Sequence, residues 1–287
     1  MNINEYTIKR SDFSNPRDMQ ALVELQNVVY AGRYTFTDMS FRIWYIDNPN
    51  GRVLSFNAWD GDVMVAHYAL IPMRMIIDGR VVKGGLSMAT VTHPEHRGKG
   101  LFKTLAKVTY ENAVQEGYEF VVGVANDNSY PGFIKYFPFD DVGTLDVLIG
   151  VKKCIEPDGD KLFSVYWDAE TILWRVKNAE YSYFGNRLYG TIGFGPFKKV
   201  PFFKTFMGTL DEQMLKNTAV SCKRPGFRFA TLYVGMGSNA RRLGYVKAPK
   251  AFHRSGFHLI FMDLTNGMLP KMTRDNVFFQ LIDFDVV

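Results

Sequence analysis

From Thr92 to Phe102 the chain reads Thr-His-Pro-Glu-His-Arg-Gly-Lys-Gly-Leu-Phe, its densest run of residues able to do chemistry. Gly98 and Gly100 remove side chains where the main chain would have to approach a ligand closely, and Arg97 and Lys99 set positive charge beside them. A β-prone stretch, Ser87 to Thr92, leads in, and Leu101, Phe102, Leu105, Val108 and Ala113 recur at helical spacing behind it. The first N–H groups of a helix lack intrahelical partners and carry the positive end of its dipole. Strand, Pro-containing turn, two glycines, helix start and flanking cations together make a backbone cradle for an anion such as a phosphate. A bare G-x-G is usually only a turn. Here every neighbour agrees with the richer reading.

Other chemistry-bearing residues carry less. His67 and Tyr68 sit on an apolar strand and could face a cleft, although a lone His or Tyr in a strand is more often structural. His93 beside Pro94 shapes a turn, while Glu95 and His96 read as solvated loop residues. Asp283 and Asp285 alternate on an expected strand and so share one face, the pattern of edge-strand charges. Cys154 and Cys222 show neither metal-ligand nor disulfide spacing. There is no P-loop, zinc spacing, G-x-S-x-G elbow or dinucleotide fingerprint, and no metal is expected.

The segment Arg97-Gly98-Lys99-Gly100-Leu101-Phe102 resembles the acetyl-CoA-binding motif of the GNAT superfamily of N-acetyltransferases, Gln/Arg-x-x-Gly-x-Gly/Ala. It fits at Arg97 and Gly100 and departs at Phe102, where the family has Gly or Ala. The resemblance covers about half the chain and implies that Ala89, Thr90 and Val91 offer backbone groups to the pantetheine arm as an added strand would. It also implies that the N–H groups of Arg97, Gly98, Lys99, Gly100, Leu101 and Phe102 take the pyrophosphate, with a backbone N–H near Val91 at the oxyanion. A second family element, Asn-x-x-Ala followed by Tyr and then Gly-Phe, is similar to the run from Asn126 and Ser129 to Phe139. Pro138 replaces its Gly, and the Tyr slot falls on Phe133 or Ile134. That tyrosine protonates the departing thiolate in the family, so the nearest substitutes here are Tyr130, the first choice, and Tyr136.

The elements that must position these residues follow from periodicity and turn chemistry. An opening strand is expected at Tyr6 to Lys9, then a helix from Asn15-Pro16 to about Tyr30 and another from Ser40 to Ile46. Strands follow at Val53 to Trp59, Val63 to Met75 and Gly85 to Thr92, then a helix from Leu101 to Gln115 closed by Gly117. A buried strand at Tyr118 to Ala125, a short helix after Asn126 and a strand from Val142 to Lys152 complete the first half. The fold class is α/β: a GNAT-like mixed central sheet flanked by helices, over residues 1–153. Glu156 to Asp160 reads as a linker to an aromatic-rich α+β region, 160–287, that completes an acceptor cleft. That region carries a helix at Asp168 to Val176 and β-leaning runs at Tyr181 to Phe184, Arg187 to Phe194, Phe227 to Val234, His258 to Leu264 and Val277 to Val287. A weak echo of Trp44–Asn48 at Trp174–Asn178 raises the alternative of a degenerate second GNAT-like half.

Composition bounds the partners. With 287 residues, 47% hydrophobic and 22% charged, the chain is an ordinary globular protein, and 15% aromatics favour large cores or an aromatic cleft. A net charge of +5 suits a phosphate-rich ligand, yet no run of five basic residues marks nucleic-acid binding. No apolar run reaches the roughly 20 residues of a membrane helix, and Met1 to Ser14 is too polar for a signal peptide. A cytoplasmic N-acetyltransferase using acetyl-CoA as co-substrate, on a small-molecule amine such as an amino sugar, is the expected function. The alternatives are a non-catalytic acetyl-CoA-binding module and an aminoacyl transferase resembling peptidoglycan-precursor enzymes. Oligomeric state is left open.

Overall fold

The computed structural model describes residues 5–151, 155–177, 182–186, 190–196, 203–210, 230–253 and 255–284. The chain forms two compact units: Met1–Met73, Lys83–Val122 and Met262–Gly267 make the first, and Arg74–Val82, Gly123–Phe261 and Met268–Val287 the second. The units interleave along the sequence. Neither is a continuous half.

Strands β1 (Thr7–Arg10), β2 (Leu54–Asp60), β3 (Val63–Ile77), β4 (Arg80–Thr92) and β5 (Phe120–Ala125) are neighbours in that order, and the first unit holds β1, β2, β3 to Met73, β4 from Lys83 and β5 to Val122. β1 pairs antiparallel with β2, and β2 with β3, where Leu54 stands opposite Leu70. β3 is buried without interruption from Met64 to Met73, which explains its continuous apolar run. Asp78 and Gly79 turn β3 into β4 with φ of 49° and 74°, the two left-handed residues that a tight hairpin needs. β4 consequently starts at Arg80, five residues before its expected start. At Gly84 an added Cβ would lie 2.5 Å from the Phe120 ring, so the missing side chain is what admits β5.

Helices α1 (Pro16–Val29), α2 (Asp38–Tyr45) and α3 (Leu101–Gln115) lie where the periodicity places them, with ends moved by up to two residues. Asn15 caps α1 by accepting from the Arg17 N–H at 3.0 Å, and Pro16 supplies the pre-set φ of the first turn. α3 buries Leu101, Leu105, Thr109 and Ala113, a stripe at four-residue spacing, together with Ala106 and Tyr110.

The second unit holds α4 (Tyr130–Tyr136), β6 (Asp140–Thr144), β7 (Asp146–Val151), β8 (Phe163–Val165) and α5 (Ala169–Lys177), then strands β9 (Ser182–Asn186), β10 (Gly190–Pro196), β11 (Phe203–Leu210) and β12 (Ala230–Met236). β13 (Val246–Lys247), β14 (His258–Asp263, in this unit as far as Phe261) and β15 (Val277–Gln280) follow. β12 runs antiparallel to β7 and β15 and parallel to β11; β14 is antiparallel to β6. The single strand expected from Val142 breaks at Leu145 into β6 and β7, and Lys152 lies outside the described residues. Glu156 to Asp158, expected as a linker, is stitched into this unit: Glu156 N–H donates to Asn239 Oδ1, Asp158 N–H to Gly237 O, and Arg242 ion-pairs with Asp158. β11 was not foreseen. Cys154, Cys222, Asn178 and Asp285 lie outside the described residues.

Candidate functional site

The site-bearing turn begins inside β4. Ala89 has φ of 53°, a left-handed conformation that costs a non-glycine residue about 1–3 kcal/mol and recurs where backbone groups are re-aimed for function. Around it Met88, Ala89 and Thr90 are half-buried, and the Val91 side chain is buried. His93 N–H then donates to Val65 O at 2.8 Å, tying the end of β4 to β3. Pro94 to His96 form one 3₁₀ turn.

Gly98 and Gly100 follow with φ of 75° and 79°. No atom lies within 4 Å of a Cβ built at Gly98, so conformation, not crowding, demands glycine there. Gly100 is the N-cap of α3, and no side chain caps this helix. Arg97 is exposed, and its Nε donates to Thr92 O at 3.3 Å. The Lys99 ammonium lies 5.9 Å from the Tyr6 ring centroid. Two left-handed glycines, a 15-residue helix without a side-chain cap and two cations in six residues give the geometry of an anion cradle.

Phe102 explains its own departure from the motif. Its ring meets Tyr68 edge-on, with centroids 6.1 Å apart. The Tyr68 hydroxyl in turn contacts Tyr110 Oη at 2.6 Å and Ser87 Oγ at 2.7 Å. Side chains from α3, β3 and β4 thus seat the helix start on the sheet. Tyr68 is fully buried, its phenol pushed far up by desolvation.

His67 does not face a cleft. It is buried among Tyr45 Oη (2.9 Å from Nε2) and Asn57 Oδ1 (2.6 Å from Nδ1), and burial pushes its pKa down to about 3. Asn57 spends its Nδ2–H on Ser11 Oγ, so its Oδ1 accepts from His67 Nδ1–H and Nε2 accepts from Tyr45. The histidine is a neutral structural tie.

The 3₁₀ turn gathers His93, Glu95 and His96, whose ligand-type atoms lie within 4.8 Å of one another, a grouping the sequence spacing did not signal. His96 Nδ1 meets Tyr6 Oη at 2.9 Å, and His93 Nδ1 accepts from Glu95 N–H at 3.3 Å, which leaves the His93 proton on Nε2. The group serves the turn.

The second element lies after β5, in the second unit. Asn126 Oδ1 accepts from the N–H groups of Asn128 and Ser129, an Asx turn that starts α4. Phe133 is buried edge-to-face on Phe139, so its ring belongs to the core. Tyr130 donates to Asp141 Oδ2 at 2.8 Å, and that carboxylate holds the phenol pKa above its ordinary value. Tyr136 is exposed at 44%.

Sequence reasoning missed His258. Its ring stacks on Tyr130, with centroids 4.2 Å apart and planes 22° from parallel, and its Nε2 lies 2.9 Å from Asp127 Oδ1. Only strand pairing could have found this contact, because 131 residues separate the two partners. Asp283, expected on a strand, sits in a buried 3₁₀ turn and accepts from Trp167 Nε1–H and Gln280 N–H; burial raises its pKa to about 7.

Residues 12–139 match a family model described as an acetyltransferase (GNAT) domain. Among solved structures, the chain resembles an Enterococcus faecalis V583 protein described as a probable N-acyltransferase, with TM-score 0.60 and 10% identity over 90% of this chain and 73% of that one. It also resembles a GCN5-related N-acetyltransferase from Anabaena variabilis, with TM-score 0.55 and 11% identity over 91% and 73% of the two chains. No curated protein sequence matches. Among the described residues, no helix is long and apolar enough to cross a membrane.

Proposed function

The chain belongs, through residues 12–139, to the GNAT acetyltransferase family, and on that premise we propose that it transfers an acetyl group from acetyl-CoA to a primary amine of a small acceptor. The observation that carries the reading is the turn from β4 to α3. Gly98 and Gly100 are both left-handed, α3 starts without a side-chain cap, and Arg97 and Lys99 flank it. This geometry suits a diphosphate better than a single carboxylate, because it offers a row of backbone donors and two charges. The left-handed Ala89 turns the middle of β4 where a pantetheine arm would pair with Thr90 and Val91.

When bound, acetyl-CoA supplies an acyl group already activated as a thioester. The residues of this chain would hold the diphosphate at 97–102, orient the acyl carbonyl along β4 and accept the proton that the amine loses. Asn126 and Ser129 order the turn that the family pattern assigns to the cofactor. Tyr130 is our candidate for protonating the thiolate, which requires its hydroxyl to leave Asp141. An amino sugar is the acceptor we favour within the small-amine class.

One observation favours a second reading. Neither Phe133 nor Ile134, the two residues at the slot of the family's acidic tyrosine, can give a proton, and Phe133 is committed to the core, as expected of a module that binds acetyl-CoA without turning it over. Thiol release from acetyl-CoA against a panel of amines, amino sugars included, tests the first reading. Turnover of at least one amine is expected. Tight CoA binding in calorimetry with no turnover of any amine would transfer the assignment to the second reading.

A further inference from the structure

A cavity of about 240 Å³ opens in the second unit beside the break between β6 and β7. Leu145 and Val147 are buried apolar members of its lining, and Phe257, from the loop before β14, is a half-buried one. Arg241, Lys247 and Asp146 bring charge to the same space, and His253 brings a polar ring. Every one of these residues belongs to the second unit, and no cradle residue is among them. Apolar walls with a few convergent charged groups are the make-up of a small-molecule site.

Main-chain bonds fix the walls. Leu145 N–H donates to Phe257 O at 2.8 Å and Ala248 N–H to Val147 O at 2.9 Å, so the segments that follow β12 are tied to the break. The carboxylate is fixed as well. Asp146 Oδ1 accepts from Arg241 Nη2 at 2.9 Å, and Oδ2 lies 2.8 Å from Arg274 Nη2. Arg241 spends one nitrogen there and keeps further N–H groups of its five for a ligand. Lys247 stands opposite Leu148 in the β13–β7 pair, is exposed, and has no ion-pair partner among the described residues. In the lining, Arg241 and Lys247 face the single carboxylate of Asp146, a surplus of one positive charge. A monoanion balances that surplus, whereas a dianionic phosphate exceeds it.

We propose that this cavity binds a small organic carboxylate, with the ligand's apolar body against Leu145, Val147 and Phe257 and its carboxylate on Lys247 and Arg241. Size limits the ligand. A cavity of about 150 Å³ admits benzene, so 240 Å³ has room for roughly ten non-hydrogen atoms. Acetyl-CoA and nucleotides are far larger than that. The ligand is therefore a molecule other than the acyl donor, and the site stands whether or not the chain transfers acetyl groups.

Methyl NMR of the full-length protein, titrated with sodium benzoate, tests this. Benzoate should move the Leu145 and Val147 methyl signals with a Kd of about 1 mM or below, ordinary for so small a ligand. Benzamide has the same shape without the charge and should bind at least about tenfold more weakly. Lys247→Met breaks no ion pair among the described residues, so it should fold as the wild type does. It should weaken benzoate about five- to tenfold and leave benzamide unchanged. Asp146→Asn should tighten benzoate, because a negative charge beside Arg241 is gone. A titration that leaves both methyl signals in place overturns the proposal. Benzamide binding as tightly as benzoate, or a Lys247→Met affinity equal to that of the wild type, does the same. Phenyl phosphate binding more tightly than benzoate overturns the assignment to carboxylates.

Discussion

Tyr110 and Tyr68 meet hydroxyl to hydroxyl at 2.6 Å in the interior of the first unit, joining α3 to β3 about three helical turns along from the cradle. The bond is shared unequally, because Tyr68 also contacts Ser87 Oγ, which is half-buried. Tyr68→Phe strips a partner from the Tyr110 hydroxyl as well as from Ser87, whereas Tyr110→Phe leaves Tyr68 its bond to Ser87. Denaturant unfolding should show Tyr68→Phe losing about 1–3 kcal/mol and Tyr110→Phe about 1 kcal/mol. The reverse order would mean that the pair is not what seats α3.

The cradle predicts a separation of stability from binding. Gly100→Val forces a β-branched residue to φ of 79°, so it should lose CoA binding and also cost the fold about 1–2 kcal/mol. Arg97→Ala carries no backbone penalty and should weaken CoA by about 1–3 kcal/mol. Calorimetry with dephospho-CoA locates that charge: an equal loss for both ligands assigns Arg97 to the diphosphate, and a loss confined to CoA assigns it to the 3′-phosphate.

Tyr130 bears on the leaving group. A thiol with a pKa of about 8.5 departs readily as thiolate at neutral pH, so an acid accelerates the reaction without being required. Because Asp141 holds the Tyr130 proton more firmly, Tyr130→Phe should lower kcat by about ten- to a thousandfold only if the hydroxyl swings away. Wild-type kcat in this variant would leave water as the donor.

His67 and Asp283 impose opposite pH slopes on the two units. His67, with a native pKa near 3 against an ordinary 6.5, contributes stability that is lost as pH falls from 6.5 toward 3. Asp283, near 7 against 3.8, binds its proton in the native state, so stability is lost as pH rises from about 4 to 7. Each slope approaches about 1.4 kcal/mol per pH unit inside its window. Amide exchange read by segment should show protection around β3 rising with pH, and protection around α5 and Gln280–Asp283 falling. His67→Gln should flatten the first trend and Asp283→Asn the second.

What was legible in the sequence was local. The helix from Leu101 to Gln115 is written in four-residue spacing, and Gly98 and Gly100 announce left-handed turns that only glycine enters cheaply. Ala89 gives no such notice, since its φ is imposed by the sheet around it. The roles of His67 and His258 were equally hidden. One is set by burial among Tyr45 and Asn57, the other by a loop that returns 131 residues later to Asp127. The same limit divided the strand at Leu145, an apolar residue that gives no turn signal and whose N–H donates to Phe257 O.

The interleaving of the units has a consequence for synthesis. Met262–Gly267 belongs to the first unit, where Leu264 N–H bonds Glu119 O at 2.9 Å. On the ribosome, therefore, the cradle-bearing unit cannot acquire this segment until residue 267 has been translated, 165 residues after Phe102. A nascent or proteolytic fragment ending at residue 153 would carry every cradle residue and still present Glu119 without that strap, an opening for chaperones or for a neighbouring copy to fill.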